Sequence, residues 1–214
     1  MEFALLGFPE DGPTLRLDYR AFAYAGKFVV GATGKAVWRT ADGSPAATDW
    51  TPNETLPDSV DPDDFDDDVL AAVSFSPDRT EPTVCRLRYV TVHIARRGEG
   101  LGPALVRRTV DALAEREAVE EPGARFDTIR IAVNNPFAYE ALYKAGFAFT
   151  GRETGVAELV LDRPMDGPSP DHADRNRYQA GLDHYRARDL GDPEAAFLSE
   201  REGADPPAFA ESHL

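Results

Sequence analysis

Residues 86–105 constrain this chain more than any other stretch. Arg86 to Ile94 is dominated by apolar and β-branched residues, the content of a buried strand. Glycine then falls at positions 98, 100 and 102, and Pro103 suits the first turn of a helix, where its missing N–H is not needed. From there Leu105, Val106, Val110 and Leu113 mark an apolar helical face. A glycine turn feeding a helix N-terminus leaves several backbone N–H groups unbonded, and the helix dipole adds partial positive charge. Such a turn suits an anion, most often a phosphate, and Arg97 adds a formal charge at its edge. A plain strand–turn–helix connection would use the same glycines. A dinucleotide fingerprint fits poorly, because the spacing is G-x-G-x-G and no acidic residue closes a second strand about twenty residues on.

A second constellation lies downstream: Asn135, Ala138, Leu142-Tyr143 and Gly146-Phe147. Together with Arg97-x-x-Gly100-x-Gly102, preceded by Val92-His93 and containing Leu101, it resembles the GCN5-related N-acetyltransferases. The resemblance implies an α/β (α+β) acyl-CoA N-acyltransferase fold, a central mixed, splayed sheet flanked by helices. It also implies acetyl-CoA (coenzyme A) as cosubstrate, an amine acceptor and no metal. Arg97, Gly98, Glu99, Gly100, Leu101 and Gly102 would then cradle the pyrophosphate. The backbone of Thr91, Val92 and His93 would bond the pantetheine arm, with an N–H near Val92 holding the thioester oxyanion.

Two residues of the second constellation carry the proton and amide roles in the family pattern. Asn135 would bond the pantetheine amide, although Asn-Pro after a strand also reads as an ordinary helix cap. The family's general acid is a tyrosine, but that position holds Leu142 and Tyr143 follows one residue late, about 100° around a helix. Tyr143 remains the expected acid, with Tyr139 one turn earlier as the next candidate. His93 invites a base role, yet the family pattern carries a histidine there without one. Glu153 and Glu158 are further carboxylates on the last strands. The alternative reading is a non-catalytic acyl-CoA sensor or assembly module of the same fold.

The composition bounds the rest. With 38 acidic against 23 basic residues and a net charge of −15, binding to nucleic acid or an anionic membrane is not expected. Lysine occurs only at 27, 35 and 144, and this acid-rich, lysine-poor balance suggests salt adaptation, since salt screens self-repulsion. Cys85 is alone, so no internal disulfide forms, and it reads as a small core residue. The histidines lack metal-ligand spacing. No apolar run reaches membrane-spanning length, and a cytoplasmic protein is expected.

Taken in order, residues 1–6 suggest an edge strand or a loose terminus, and residues 14–18 alternate as a strand. Phe22, Ala25, Gly26, Val29 and Val30 recur at helical spacing, with a strand pair as the alternative. Residues 35–40 read as a strand. From Asp42 to Asp68 there are ten acidic residues, no basic ones and four prolines, which reads as a solvated loop insertion. Strands are expected at 69–75, 84–94, 128–133, 147–152 and 156–161, and helices from 103 to about 117 and from 137 to 145. Residues 120–125 read as a polar connection. The expected acetyltransferase domain is 1–163. Residues 164–214 form a helical, partly disordered extension that packs either on the domain or on a second copy of the chain as a homodimer.

Overall fold

The computed structural model describes residues 1–119 and 126–209. The polar connection read at 120–125 and the last five residues lie outside them. Seven strands pair in the order β1-β2-β3-β4-β5-β7-β6. They are β1 (Glu2–Gly7), β2 (Gly34–Arg39), β3 (Val69–Pro77), β4 (Val84–Val92), β5 (Thr128–Val133), β6 (Ala148–Glu153) and β7 (Leu159–Pro164). The helices are α1 (Leu101–Val119), α2 (Pro136–Lys144), α3 (Arg175–Arg186) and α4 (Asp192–Glu200). The mixed α/β class is as the sequence predicts. The chain divides into two compact units, Met1–Pro77 with Leu87–Leu113, and Asp78–Arg86 with Ala114–Leu214.

In the first unit β1 pairs antiparallel with β2, and β2 with β3. β3 is buried on both faces, so it reads as a continuous apolar run with only Ser74 and Ser76 interrupting. Two expectations fail here. Residues 14–18 form no strand, although Leu15 and Leu17 are buried as the alternation requires. Their backbone bonds run elsewhere: Leu15 N–H donates to the Phe28 carbonyl, and Arg16 exchanges bonds with Asp66. Residues 22–30 form no helix, only a 3₁₀ turn at Ala25–Lys27. Tyr24 sits in the left-handed region, which stops a helix from running through it, and Phe22, Ala25 and Phe28 pack into the core from turns.

That N-terminal layer is held by a residue the sequence does not advertise. Lys35 is fully buried. Its Nζ donates to the carbonyls of Pro13 (2.5 Å), Val30 (2.8 Å) and Thr33 (3.1 Å) and to Thr33 Oγ1. Burial pushes its pKa down. Four oxygens around one ammonium satisfy a layer that has no ladder of its own.

In the second unit β4 and β5 form a parallel ladder of three pairs, Val84–Thr128, Cys85–Ile129 and Arg86–Arg130. β5 and β7 pair antiparallel over their full lengths, and β6 and β7 pair antiparallel with a register shift. Cys85 is buried. β7 begins at Leu159, three residues later than predicted, because 154–158 make the hairpin turn, with Thr154 N–H donating to the Glu158 carbonyl. Within this unit α3 packs against β6, and α4 against α2 and α3. Among the described residues no helix is long and apolar enough to cross a membrane.

Candidate functional site

The glycine turn lies wholly in the first unit. Gly98 (φ +87°) and Gly100 (φ +78°) both occupy the left-handed region, so the turn depends on their lack of a Cβ. A Cβ at either would meet nothing within 4 Å, so conformation and not crowding selects glycine here. The first α1 bond runs from Ala104 N–H to the Gly100 carbonyl at 3.2 Å. Residues 97–100 are exposed, and Arg97 makes no ion pair among the described residues. The result is an exposed turn with free N–H groups, a 19-residue helix behind it and a guanidinium beside it, which is favourable for an anion.

Arg96 is committed elsewhere. It grips Glu99 through Nε (2.8 Å) and Nη2 (2.9 Å), and its Nη1 donates to the Ala46 carbonyl at 3.0 Å. The guanidinium holds the Glu99 carboxyl below its usual range. Glu99 therefore serves the turn as its internal brace. The same arginine ties the turn to the start of the acidic insertion, where Ala46 is buried and its N–H donates to the Asp67 carbonyl.

His93 is buried at the end of β4, with its ring edge-on to Phe22 (5.2 Å) and Trp50 (4.9 Å). Its Nδ1 accepts from Ala95 N–H at 3.2 Å and caps the 3₁₀ turn Ile94–Arg96. This bond assigns the neutral tautomer with the proton on Nε2. Burial lowers its pKa, and the Asp18 charge opposes that. The lone pair a base would need is already engaged, so His93 is a cap in this arrangement. Its own N–H donates to the Leu70 carbonyl at 2.9 Å. Strand alternation then turns the Val92 N–H toward the opposite edge of β4. Val92 is half-buried, and Thr91 is buried with its Oγ1 unpartnered.

The second constellation lies in the second unit. Asn135 has extended backbone and caps α2, its Oδ1 accepting from Ala138 N–H at 2.8 Å. Tyr143 is fully buried. Its hydroxyl accepts from Phe149 N–H at 3.0 Å and lies 3.3 Å from the Tyr139 hydroxyl, which is 3.1 Å from the Tyr178 carbonyl. One proton arrangement satisfies the set: Tyr143 donates to Tyr139, and Tyr139 to the Tyr178 carbonyl. Rings of Tyr143 and Tyr178 meet edge-on at 4.8 Å. Burial raises the Tyr143, Tyr139, Tyr178 and Tyr185 hydroxyls. The exposed or half-buried residues of α2 are Phe137, Ala138, Ala141 and Lys144, none with a hydroxyl. Leu142, at the family's tyrosine position, is buried.

The remaining carboxylates are also engaged. Glu153 pairs with His184, and Glu158 accepts from Thr154 Oγ1. Glu140, buried on α2, pairs with Arg201 and with Lys144. Among the described residues no group of three or more His, Cys, Asp or Glu is placed to hold a metal. Sequence reading missed the tyrosine cluster as a unit. Its signal was the spacing of Tyr139 and Tyr143 at i, i+4 and of Tyr178 and Tyr185 at i, i+7, with Gly181 between the latter pair. A Cβ at Gly181 would collide with the Tyr139 ring, so glycine is what lets α3 approach this closely.

No family model matches the chain. One stretch of 63 residues is 38% identical to 4-hydroxythreonine-4-phosphate dehydrogenase of Maricaulis maris (strain MCS10), covering 28% of this chain and 18% of that protein. Among solved structures, nourseothricin acetyltransferase is similar at 17% identity and a TM-score of 0.42, over 62% of this chain and 65% of that one. A GCN5-related N-acetyltransferase from Kribbella flavida is similar at 23% identity and a TM-score of 0.41, over 62% and 67%. The PaiA N-acetyltransferase of Thermoplasma acidophilum, in complex with coenzyme A, is similar at 12% and 0.36, over 46% and 55%. The chain thus spans less than two thirds of both the dehydrogenase and the nourseothricin enzyme.

Proposed function

We propose that the chain is an acyltransferase of the GCN5-related type that moves an acetyl group from acetyl-CoA to an amine. The observation that carries this reading is the left-handed Gly98–Gly100 turn, which opens onto the start of α1 beside Arg97, a side chain with no ion pair among the described residues. Arg97 and the N–H groups of Gly98 to Gly102 hold the pyrophosphate, with Glu99 bracing the turn through Arg96. Of the segment Thr91 to His93, the backbone of Val92 receives the pantetheine arm, because the His93 N–H and carbonyl are committed to Leu70 and Arg96. The Val92 N–H, left out of the β3 pairing by the alternation that gives His93 to Leu70, polarises the thioester carbonyl and holds the oxyanion. Asn135 fixes the start of α2 within the second unit. The neutral amine attacks the carbonyl carbon to form the C–N bond, its nitrogen gives up one proton to water, and the tetrahedral intermediate collapses by breaking the C–S bond, so that coenzyme A leaves as the thiolate and takes up one proton from water.

A second reading has a specific observation behind it. The Tyr143 hydroxyl is closed off by Phe149 and Tyr139, and α2 exposes no other hydroxyl. A chain that holds acyl-CoA without a side-chain acid is a sensor or assembly module, or an enzyme whose leaving thiolate is protonated by water. Calorimetry with acetyl-CoA, followed by thiol release over an amine panel at low and high salt, separates these. Binding with turnover supports the enzyme. Binding without turnover supports the module, and the absence of binding removes both.

A further inference from the structure

Two arginines pin the acidic insertion with the same grip. Arg96 holds the Glu99 carboxylate through its Nε and Nη2 edge and turns Nη1 to the Ala46 carbonyl at 3.0 Å. Arg20 holds Asp18 through Nε (3.0 Å) and Nη2 (2.7 Å) and turns Nη1 to the Glu54 carbonyl at 3.2 Å. Between the two pins, the Trp50 ring stands at right angles to the His93 ring, 4.9 Å away. Ala46 is buried, and its N–H donates to the Asp67 carbonyl across the neck of the insertion. All of these residues belong to the first unit. Yet residues 41–61 contain no strand or helix, and a segment with so few backbone bonds opens at lower cost than a paired strand does.

The two pins differ in where their carboxylates stand. Asp18 belongs to the N-terminal layer. Glu99 stands in the turn itself, between the left-handed glycines Gly98 and Gly100. A carboxylate there repels an incoming phosphate unless its charge is answered, and Arg96 answers it. The guanidinium is a rigid plane with its donors in fixed directions. While one edge grips Glu99, the direction of Nη1 is set. The position of the Ala46 carbonyl and the shape of the turn are therefore tied through one group. Opening of the insertion removes one end of that tie and frees the Arg96–Glu99 pair to shift within the turn. We propose that Arg96 is a positioning residue that couples the insertion to the turn. Acetyl-CoA binds more tightly when residues 46–54 are docked and in return holds them docked, as linkage requires. This rests on the acyltransferase reading above and names the regulation of that site.

The test is hydrogen exchange of the peptide 44–56, read by mass spectrometry on the full chain with and without saturating acetyl-CoA. Binding should slow the exchange about fivefold or more. In Arg96→Gln the slowing should vanish and the acetyl-CoA Kd, by calorimetry, should rise about tenfold with the Tm kept. Arg96→Lys keeps the charge but not the fork, so it should recover part of the affinity and none of the slowing. Arg20→Gln removes the pin that is not wired to the turn. Exchange should then be faster without ligand, yet acetyl-CoA should still slow it. No slowing in the full chain, slowing that survives in Arg96→Gln, or its loss in Arg20→Gln would overturn the proposal. So would a Tm loss in Arg96→Gln with the affinity unchanged, since Arg96 would then brace the fold alone. If acetyl-CoA does not bind in calorimetry, the acyltransferase reading fails separately, and the exchange is measured with inorganic pyrophosphate. Slowing in the full chain that is absent in Arg96→Gln supports the coupling, and no slowing in the full chain overturns it.

Discussion

The glycine turn at 97–102 and the tyrosine cluster around Tyr143 were read from motifs of the same kind, yet they are opposite physical objects. The turn is exposed, left-handed at two glycines and edged by a guanidinium with no ion pair among the described residues. The cluster is closed, with four buried rings whose hydroxyls find partners inside the protein. An open set of donors is free to act on a ligand, whereas a satisfied set acts on the fold. The comparison teaches that a motif's chemistry depends on which of its polar groups remain uncommitted.

The largest test of this contrast is Gly181→Val. It places a branched side chain against the Tyr139 ring and should cost about 3 kcal/mol, near the upper end of overpacking penalties. Urea unfolding reads it, and an unchanged midpoint would mean the cluster is looser than described. Arg97→Glu should weaken acetyl-CoA binding about 10- to 100-fold by calorimetry with the urea midpoint at neutral pH unmoved, since the side chain makes no ion pair among the described residues. Tyr143→Phe sharpens the comparison directly. It strands the Phe149 N–H and should cost about 1–2 kcal/mol of stability, with thiol release reduced less than about threefold. A fall of about 10²-fold or more with stability intact would restore Tyr143 as the general acid.

The smallest effect is a pH dependence at the turn. His93 has its folded pKa pushed below the ordinary value by burial. The folded state therefore binds fewer protons than the unfolded one between the two values, and stability rises with pH across that window. The contribution is present above the unfolded pKa of about 6.5 and is lost as pH falls through the folded one. The Ala95 cap is lost with it. Acetyl-CoA affinity should weaken on acidification, and His93→Asn, which can still cap the turn, should flatten the profile. An equally steep profile in that variant would assign the effect to another group.

Much of the second unit was legible because its signals are local. Asn135-Pro136 caps a helix, Gly146 (φ +88°) ends one, and residues 128–133 alternate and form β5 over those same positions. The glycine turn was legible for the same reason. The N-terminal layer was not. Leu15 and Leu17 show true strand alternation, but no strand lies beside them, and their backbone is satisfied by Phe28 and Asp66, which no periodicity announces. Phe22, Ala25 and Phe28 show true helical spacing on a path that Tyr24 turns left-handed. At α2 the sequence showed that the tyrosine stands one place late. It could not show that α3, some forty residues on, covers the face to which that displacement turns it.

Lys35 bears on how the N-terminal layer opens. Its ammonium occupies an oxygen-lined position of the kind that elsewhere holds a monovalent ion, but it is covalently fixed and cannot exchange. Of the chain's three lysines, Lys27 and Lys144 are exposed and Lys35 is not. Amine-directed acylating reagents should therefore mark two lysines promptly, and the third only when the segment from Pro13 to Thr33 lifts away. The slow third label is a clock for that opening, built from an amine that cannot leave its post without taking the layer with it.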